Sequence, residues 1–177
     1  MAHESVFEAD FPVIRRAKSA DAHQIISGID AVCFEGGAFY TTRFVSTQQW
    51  DSVLYHSEMA PDHMLAIAER EGEILGAGRL FPGGDQTLMN HVAELGLFIL
   101  QPFRQRGIGT RLLNWLVKWA EQAGIEKMTL TVFSSNEPAL QFFRKHHFVQ
   151  TGRLRRQIKM DQQYIDLLLW PNSDLMA

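Results

Sequence analysis

Cysteine is nearly missing from this chain: the 177 residues hold one, Cys33, so no disulfide can close within it. That fits a reducing compartment rather than a cross-linked secreted scaffold. Long hydrophobic runs are missing too. None approaches the roughly 20 residues that span a bilayer, so no membrane partner is expected. The opening Met1-Ala2-His3-Glu4-Ser5 has neither a basic nor an apolar region, so no secretory signal is expected and the cytoplasm is the expected location. A strong charge of one sign is missing: the net charge is −3, which disfavours nucleic acid and leans toward cationic partners. The seven histidines show no ligand spacing beyond the adjacent His146 and His147, so no metal is expected. Repeats and low-complexity segments are lacking as well. What is present is an ordinary balance, 46% hydrophobic and 21% charged, which suits one domain over 1–177 with its core at about 13–170.

The stretch from Val92 to Leu113 organises the rest. Val92 to Leu100 is apolar apart from Glu94 and Gly96. A short run apolar on both faces reads as a strand in the middle of a sheet. Pro102 cannot donate to a ladder and marks its end. Gly107 and Gly109 then let the backbone bend and approach a ligand closely. From Ile108 the period is helical, with Ile108, Leu112, Trp115, Leu116, Trp119 and Ala123 on one stripe and Gly124 as the stop. A helix opening on a glycine loop offers unpaired N–H groups and a positive dipole end to an anion. Arg104, Arg106 and Arg111 add positive charge there. The pattern points to a phosphate or pyrophosphate cradle; a tight turn with exposed arginines is the alternative. No Gly-Lys-Ser/Thr follows, which excludes a P-loop, and Leu112 stands where a dinucleotide fingerprint needs its third glycine.

Around this unit the spacing predicts a strand over 13–17. A helix capped by Ser19 or Asp21 follows, running through Ile25 to Phe34. Phe39, Tyr40 and Phe44 mark an aromatic loop, and Thr47 begins a helix with Trp50, Val53 and Leu54. Strands are expected over 64–70 and 74–81, joined by the turn Glu71-Gly72-Glu73. Beyond the glycine-loop helix come a strand over 127–133, a helix opened by Asn136-Glu137-Pro138 and ending at His146, and strands over 150–154 and 164–170. The sum is an α+β fold with a central mixed, mostly antiparallel sheet flanked by helices.

Arg104-x-x-Gly107-x-Gly109, after a buried strand and before an amphipathic helix, resembles the acyl-CoA-binding motif of the GNAT superfamily of N-acetyltransferases. The order of elements is that of the GNAT fold. Asn136-x-x-Ala139-x-x-x-Phe143, then Phe148, is similar to the family's second motif, Asn-x-x-Ala-x-x-x-Tyr followed by Gly-Phe. Gly152 and then Tyr164-Ile165-Asp166 look like the ending of many amine-acetylating members.

The resemblance implies acetyl-CoA as donor and an amine as acceptor: a small molecule, an amino compound or a protein N-terminus. The amine must lose a proton, an oxyanion must be stabilised and a thiolate must leave. By resemblance the pantetheine arm lies along Leu97, Phe98 and Ile99, where a backbone N–H serves the oxyanion. The pyrophosphate sits on the amides of Gln105, Arg106, Gly107, Ile108, Gly109 and Thr110, with Arg104 at the motif's Arg/Gln position. Asn136 contacts the CoA, caps its helix, or does both. The acceptor site is expected at the loop between the first two helices, with Phe39, Tyr40 and Phe44, and at the far end of the sheet.

Glu94 is the candidate catalytic residue. A glutamate buried in an apolar strand holds its proton more tightly than usual, which suits a general base. It can equally bind the amine and pass the proton through water. The alternative is a carboxylate facing solvent at the start of the strand. Thr131 stands where other members place their base, and threonine cannot do that work. Phe143 is counted with the cofactor positions but departs from the family, whose tyrosine there is proposed to protonate the thiolate. Such help is worth roughly 10²- to 10⁴-fold, while a thiol with a reference pKa of about 8.5 leaves tolerably unaided. The substitution should slow the enzyme rather than abolish it. Tyr164 and Tyr40 are candidate replacements. His147 replaces the motif's glycine and reads as a surface histidine.

The remaining features are bland. Cys33, Trp115 and Trp119 read as core. Arg153, Arg155 and Arg156 read as a solvated strand end that could also meet a CoA phosphate or an acidic acceptor. Edge strands at the C-terminus are compatible with a homodimer. Three readings stand: an N-acetyltransferase, an acyl-CoA-binding sensor without transferase activity, which Phe143 keeps open, and a structural domain whose loop binds nothing.

Overall fold

The computed structural model describes residues 11–36, 41–56, 62–84 and 87–172; Phe39 and Tyr40 lie outside them. One seven-stranded sheet runs through the structure: β1 (Val13–Arg16), β2 (Met64–Arg70), β3 (Glu73–Pro82), β4 (Val92–Ile99), β5 (Lys127–Phe133), β6 (Gly152–Met160) and β7 (Gln163–Asn172), in the order β1-β2-β3-β4-β5-β7-β6. Four helices are described: α1 (Ala22–Glu35), α2 (Gln48–Tyr55), α3 (Ile108–Gln122) and α4 (Glu137–Lys145). Every strand pair is antiparallel except β4 with β5. None of the described helices is long and apolar enough to cross a membrane.

The parallel pair is brief. β4 matches β5 only over Val92–Lys127, Ala93–Met128 and Glu94–Thr129, while its other edge follows β3 from Ala93 to Ile99. Beyond Glu94 the two strands diverge. The β5-facing edge of β4 from Leu95 to Ile99 therefore has no ladder partner from β5.

Two cores lie on opposite faces. On one, Leu112, Leu113, Leu116 and Ala120 of α3 and Leu140 and Phe143 of α4 pack against Leu80, Leu95, Met128 and Leu168 of the sheet. Gly78 lets α3 come close, since a Cβ there would stand 2.6 Å from Leu116 Cδ1. On the other face, Ile25, Ile29 and Val32 of α1 and Val53 and Leu54 of α2 pack against Leu65, Ile67, Ala77, Phe81 and Phe98. That second core draws on β2, β3 and β4 and takes nothing from β5, β6 or β7. Among the described residues, half of the sheet is thus covered on both faces and half on one.

Three expectations are corrected. Ala123 is exposed; the buried stripe of α3 turns through Leu113 and Ala120 instead. Asp21 makes no side-chain cap for α1. Its carboxylate accepts from the Arg15 guanidinium at 2.7 and 3.0 Å and from the Lys18 amide at 2.7 Å, bracing β1. Arg15 holds the Asp21 carboxyl below the usual carboxylate range. β6 continues past residue 154 to Met160, because an edge strand exposed on both faces carries no apolar alternation to mark its length.

Candidate functional site

The end of β4 and the start of α3 form a region built from backbone. A 3₁₀ turn over Gln101–Phe103 ends the strand, with Leu100 N donating to Leu75 O at 2.9 Å. Gln105 and Gly107 have φ of +60° and +78°. Gly107 caps α3 in the left-handed region, where a side chain is strained. The first helical bond runs from Arg111 N to Gly107 O at 3.2 Å. The amides of residues 105–110 therefore find no partner among the described residues. Leu97 and Ile99 pack toward α3, and Phe98 packs under α1 against Gly28. With those side chains committed to the two cores, β4 presents only its backbone edge.

Arg104 does not add free charge here. Its Nε donates to Ile99 O at 2.8 Å, and its two terminal nitrogens grip the Glu35 carboxylate at 2.7 and 2.9 Å. It fastens the end of α1 to the end of β4. Arg111 lies over the Phe11 ring at 4.8 Å, so Phe11 borders the same place. Arg106 is exposed.

α4 forms the next wall. Asn136 caps it, its Oδ1 accepting from Ala139 N at 3.3 Å, while its Nδ2 has no partner among the described residues. The ring of Phe143 is buried between Phe142 at 5.1 Å and Phe148 at 5.4 Å. It belongs to the core, on the same stripe as Leu140, and does not stand free before the cradle. Phe142 of α4 and His146, just past its end, are what meets α3's first turn. A Cβ on Gly109 would stand 3.4 Å from Phe142 Cε2. His146 Nε2 is 3.1 Å from Thr110 Oγ1, and its ring lies 4.6 Å from Phe142. Burial pushes the His146 pKa down, helped by Lys145 and His147.

The second region is a groove built from side chains. A cavity of about 290 Å³ opens on the half-covered sheet face, lined by Glu94, Lys127, Thr129, Thr131, Thr151 and Leu169 among others. Glu94 is not buried as the apolar run suggested: its side chain is 52% exposed. The reason is the cover. Neighbouring positions of β4 lie beneath α1, but this one faces the uncovered half. Its Oε1 accepts from Arg79 at 2.6 Å. Arg79 crosses β4 at Gly96, where a Cβ would stand 2.9 Å from its Nε. The guanidinium rests on Phe81 at 4.4 Å and Trp50 at 5.8 Å, and Phe44 packs on Trp50 at 5.4 Å. Phe44 is fixed by its amide donating to Asp30. Met160, at the end of β6, comes near Gly36, at the end of α1.

Arg79 and Lys127 escape the sequence reading. Each is one charge in a strand, and the pairing that sets them beside Glu94 depends on register across the sheet. Gly96 opposite Arg79 is the trace they leave, a gap in an apolar strand. Tyr164 carries Arg156 on its ring at 4.0 Å, and Arg153 pairs with Asp166, so these groups serve the β6–β7 hairpin. Cys33 is buried, and desolvation pushes its thiol pKa up. Chemically, the site offers unpaired amides for an anion, an open strand edge for an extended ligand, and an acid–guanidinium pair where they meet the groove.

Comparison with known proteins fits this arrangement. A model of the acetyltransferase (GNAT) family matches residues 29–148. The Bacillus subtilis (strain 168) protein YwnH, named provisionally as a phosphinothricin acetyltransferase, is 32% identical over 113 residues, covering 63% of this chain and 68% of its own. The L-amino acid N-acetyltransferase AaaT of Escherichia coli (strain K12) is 24% identical over 78 residues, covering 44% of this chain and 48% of its own. A GNAT superfamily phosphinothricin acetyltransferase from Sinorhizobium meliloti, solved in complex with AcCoA, superposes with a TM-score of 0.80 at 17% identity, covering 91% of this chain and 87% of its own.

Proposed function

This chain belongs to the GNAT family of acetyltransferases and takes its acetyl group from acetyl-CoA, and we propose that its acceptor is a small amine that also carries an acid group, an amino acid or a close analogue. One observation carries this. Pairing between β4 and β5 stops at Glu94–Thr129, so Glu94 stands where the open strand edge begins and the groove ends, 2.6 Å from Arg79.

Bound acetyl-CoA supplies the reactive thioester. The open edge of β4 from Leu95 to Ile99 fits an extended arm, and the amides of 105–110 fit its diphosphate. Glu94 holds the acceptor's ammonium and takes its proton, directly or through water. Arg79 holds the acceptor's carboxylate, so the acceptor's two charges cross-pair with the resident ion pair. A bare polyamine would meet two cations, Arg79 and Lys127, for one acid. Phe143 has no proton to give, so the thiolate leaves without help from that position. The names of YwnH and AaaT, for phosphinothricin and L-amino acids, point to the same acceptor class. A cytoplasmic location, and a homodimer through the exposed edge of β6, belong to this reading as well.

The test is thiol release from acetyl-CoA with matched acceptors: amino acids, their amides, polyamines and short peptides. Amino acids should react fastest, and their amides at least tenfold more slowly. Preference for polyamines or peptides would overturn the acceptor assignment while leaving the donor in place.

A further inference from the structure

We propose that His146 is a positioning residue for the cofactor: its Nε2–H donates to Thr110 Oγ1 and so turns that hydroxyl's own proton toward the phosphate held at the start of α3. The inference rests on the cradle reading given above. Nε2 and Oγ1 are 3.1 Å apart, and Thr110 stands in the first turn of α3 among the unpartnered amides. A hydroxyl has one proton. If Thr110 gives it to the imidazole, the oxygen shows lone pairs to the anion. If Thr110 accepts from the imidazole, its proton is free for the anion. A phosphate in the cradle therefore selects the histidine protonated at Nε2.

The ring is fixed for this role. Phe142 packs on it at 4.6 Å and also lies against Gly109. On its own helix the charged or titratable neighbours are Lys145 and His147. On the α3 side it meets Thr110, with Arg106 and Arg111 close by in sequence. Burial, Lys145 and His147 oppose a second proton on His146, and a bound diphosphate favours one. Binding of the cofactor should thus draw a proton onto His146, and affinity should fall as pH rises through its titration.

The experiment is calorimetric binding of dephospho-CoA, which keeps the diphosphate but lacks the 3′ monoester that titrates in the same range, with pantetheine as the ligand lacking both. His146→Leu and Thr110→Val should each raise the Kd for dephospho-CoA about 3- to 10-fold, the worth of one hydrogen bond. The double variant should bind no worse than Thr110→Val, because both changes remove one relay. His146→Gln keeps an N–H donor. It should hold its affinity at pH 8 and lose the fall in affinity with rising pH that is expected of the parent. Pantetheine should bind all of them alike. Additive losses, an unchanged pH profile in His146→Gln, or equal losses for pantetheine would overturn the role of His146 alone. Failure of the parent to bind dephospho-CoA or acetyl-CoA would overturn the cradle itself, and His146's role with it.

Discussion

The proposed cofactor cradle and the proposed acceptor groove meet at Glu94 yet are made of different material. The cradle is backbone: amides at 105–110, a left-handed glycine at 107 and the open edge of β4. The groove is side chain: Glu94 and its partner Arg79, with Lys127, Thr129 and Thr131, gathered from three strands. Backbone donors survive every side-chain exchange except one to proline, and their geometry is set by a few glycines at fixed spacing. Side-chain groups are exchanged singly without disturbing the sheet. A donor common to a family suits the first kind of site, and an acceptor that differs between members suits the second.

The sharpest way to test this division is Glu94→Gln. It should lower kcat/KM for the acceptor at least 100-fold, within the range of general-base help, while the Kd for acetyl-CoA stays within about twofold. A parallel loss of cofactor affinity would break the division. Next in size is Arg79→Gln, which removes one charge-assisted contact and should raise the acceptor KM about 10- to 100-fold. Gly96→Ala should reproduce part of that effect. Its Cβ would press on the Arg79 side chain from 2.9 Å, and the flexible arginine yields by shifting away, which disturbs its contact with Glu94. Because the outcome runs through Arg79, the two changes together should be no worse than Arg79→Gln alone. If Gly96→Ala leaves the acceptor KM untouched, Arg79 does not hold the acceptor.

On the other side of the division, Gly107→Ala should strain a φ of +78°. Placing a side chain in the left-handed region costs about 1–2 kcal/mol. If the loop relaxes to relieve it, the amides lose their alignment and acetyl-CoA affinity drops about tenfold, the equivalent of 1.4 kcal/mol. Calorimetry would show it, with the acceptor KM unmoved.

The same division explains what could be read from the sequence. The strand, glycine loop and helix were legible because their makers are local: a buried strand, Pro102, two glycines and an amphipathic helix follow one another in the chain. Most elements were legible for the same reason, since periodicity and turn residues are local signals. The groove was not. Glu94 sits in an apolar run, and only the sheet shows that α1 and α2 stop short of its face. Arg79 lies fifteen positions earlier, and β3–β4 register brings it alongside. Phe143 was read through its motif position, but packing assigns its ring to the core.

The smallest effect concerns Asn136, the cap of α4. Its Oδ1 caps α4 at 3.3 Å from Ala139 N, and its Nδ2 is free among the described residues. Asn136→Ala should cost about 1 kcal/mol through the lost cap, a fall in Tm of about 2–4 °C for a chain of this size. That alone does not separate a cap from a cofactor contact. Asn136→Asp does. Aspartate keeps the cap acceptor and adds a favourable charge at the helix N-terminus, so Tm should hold or rise slightly. It has no N–H to offer a ligand and sets a negative charge toward an anionic cofactor. A preserved Tm with weakened acetyl-CoA binding would assign Nδ2 to the cofactor. Preserved Tm with unchanged binding would leave Asn136 a cap alone, and would end the cofactor wall of α4 at Phe142 and His146.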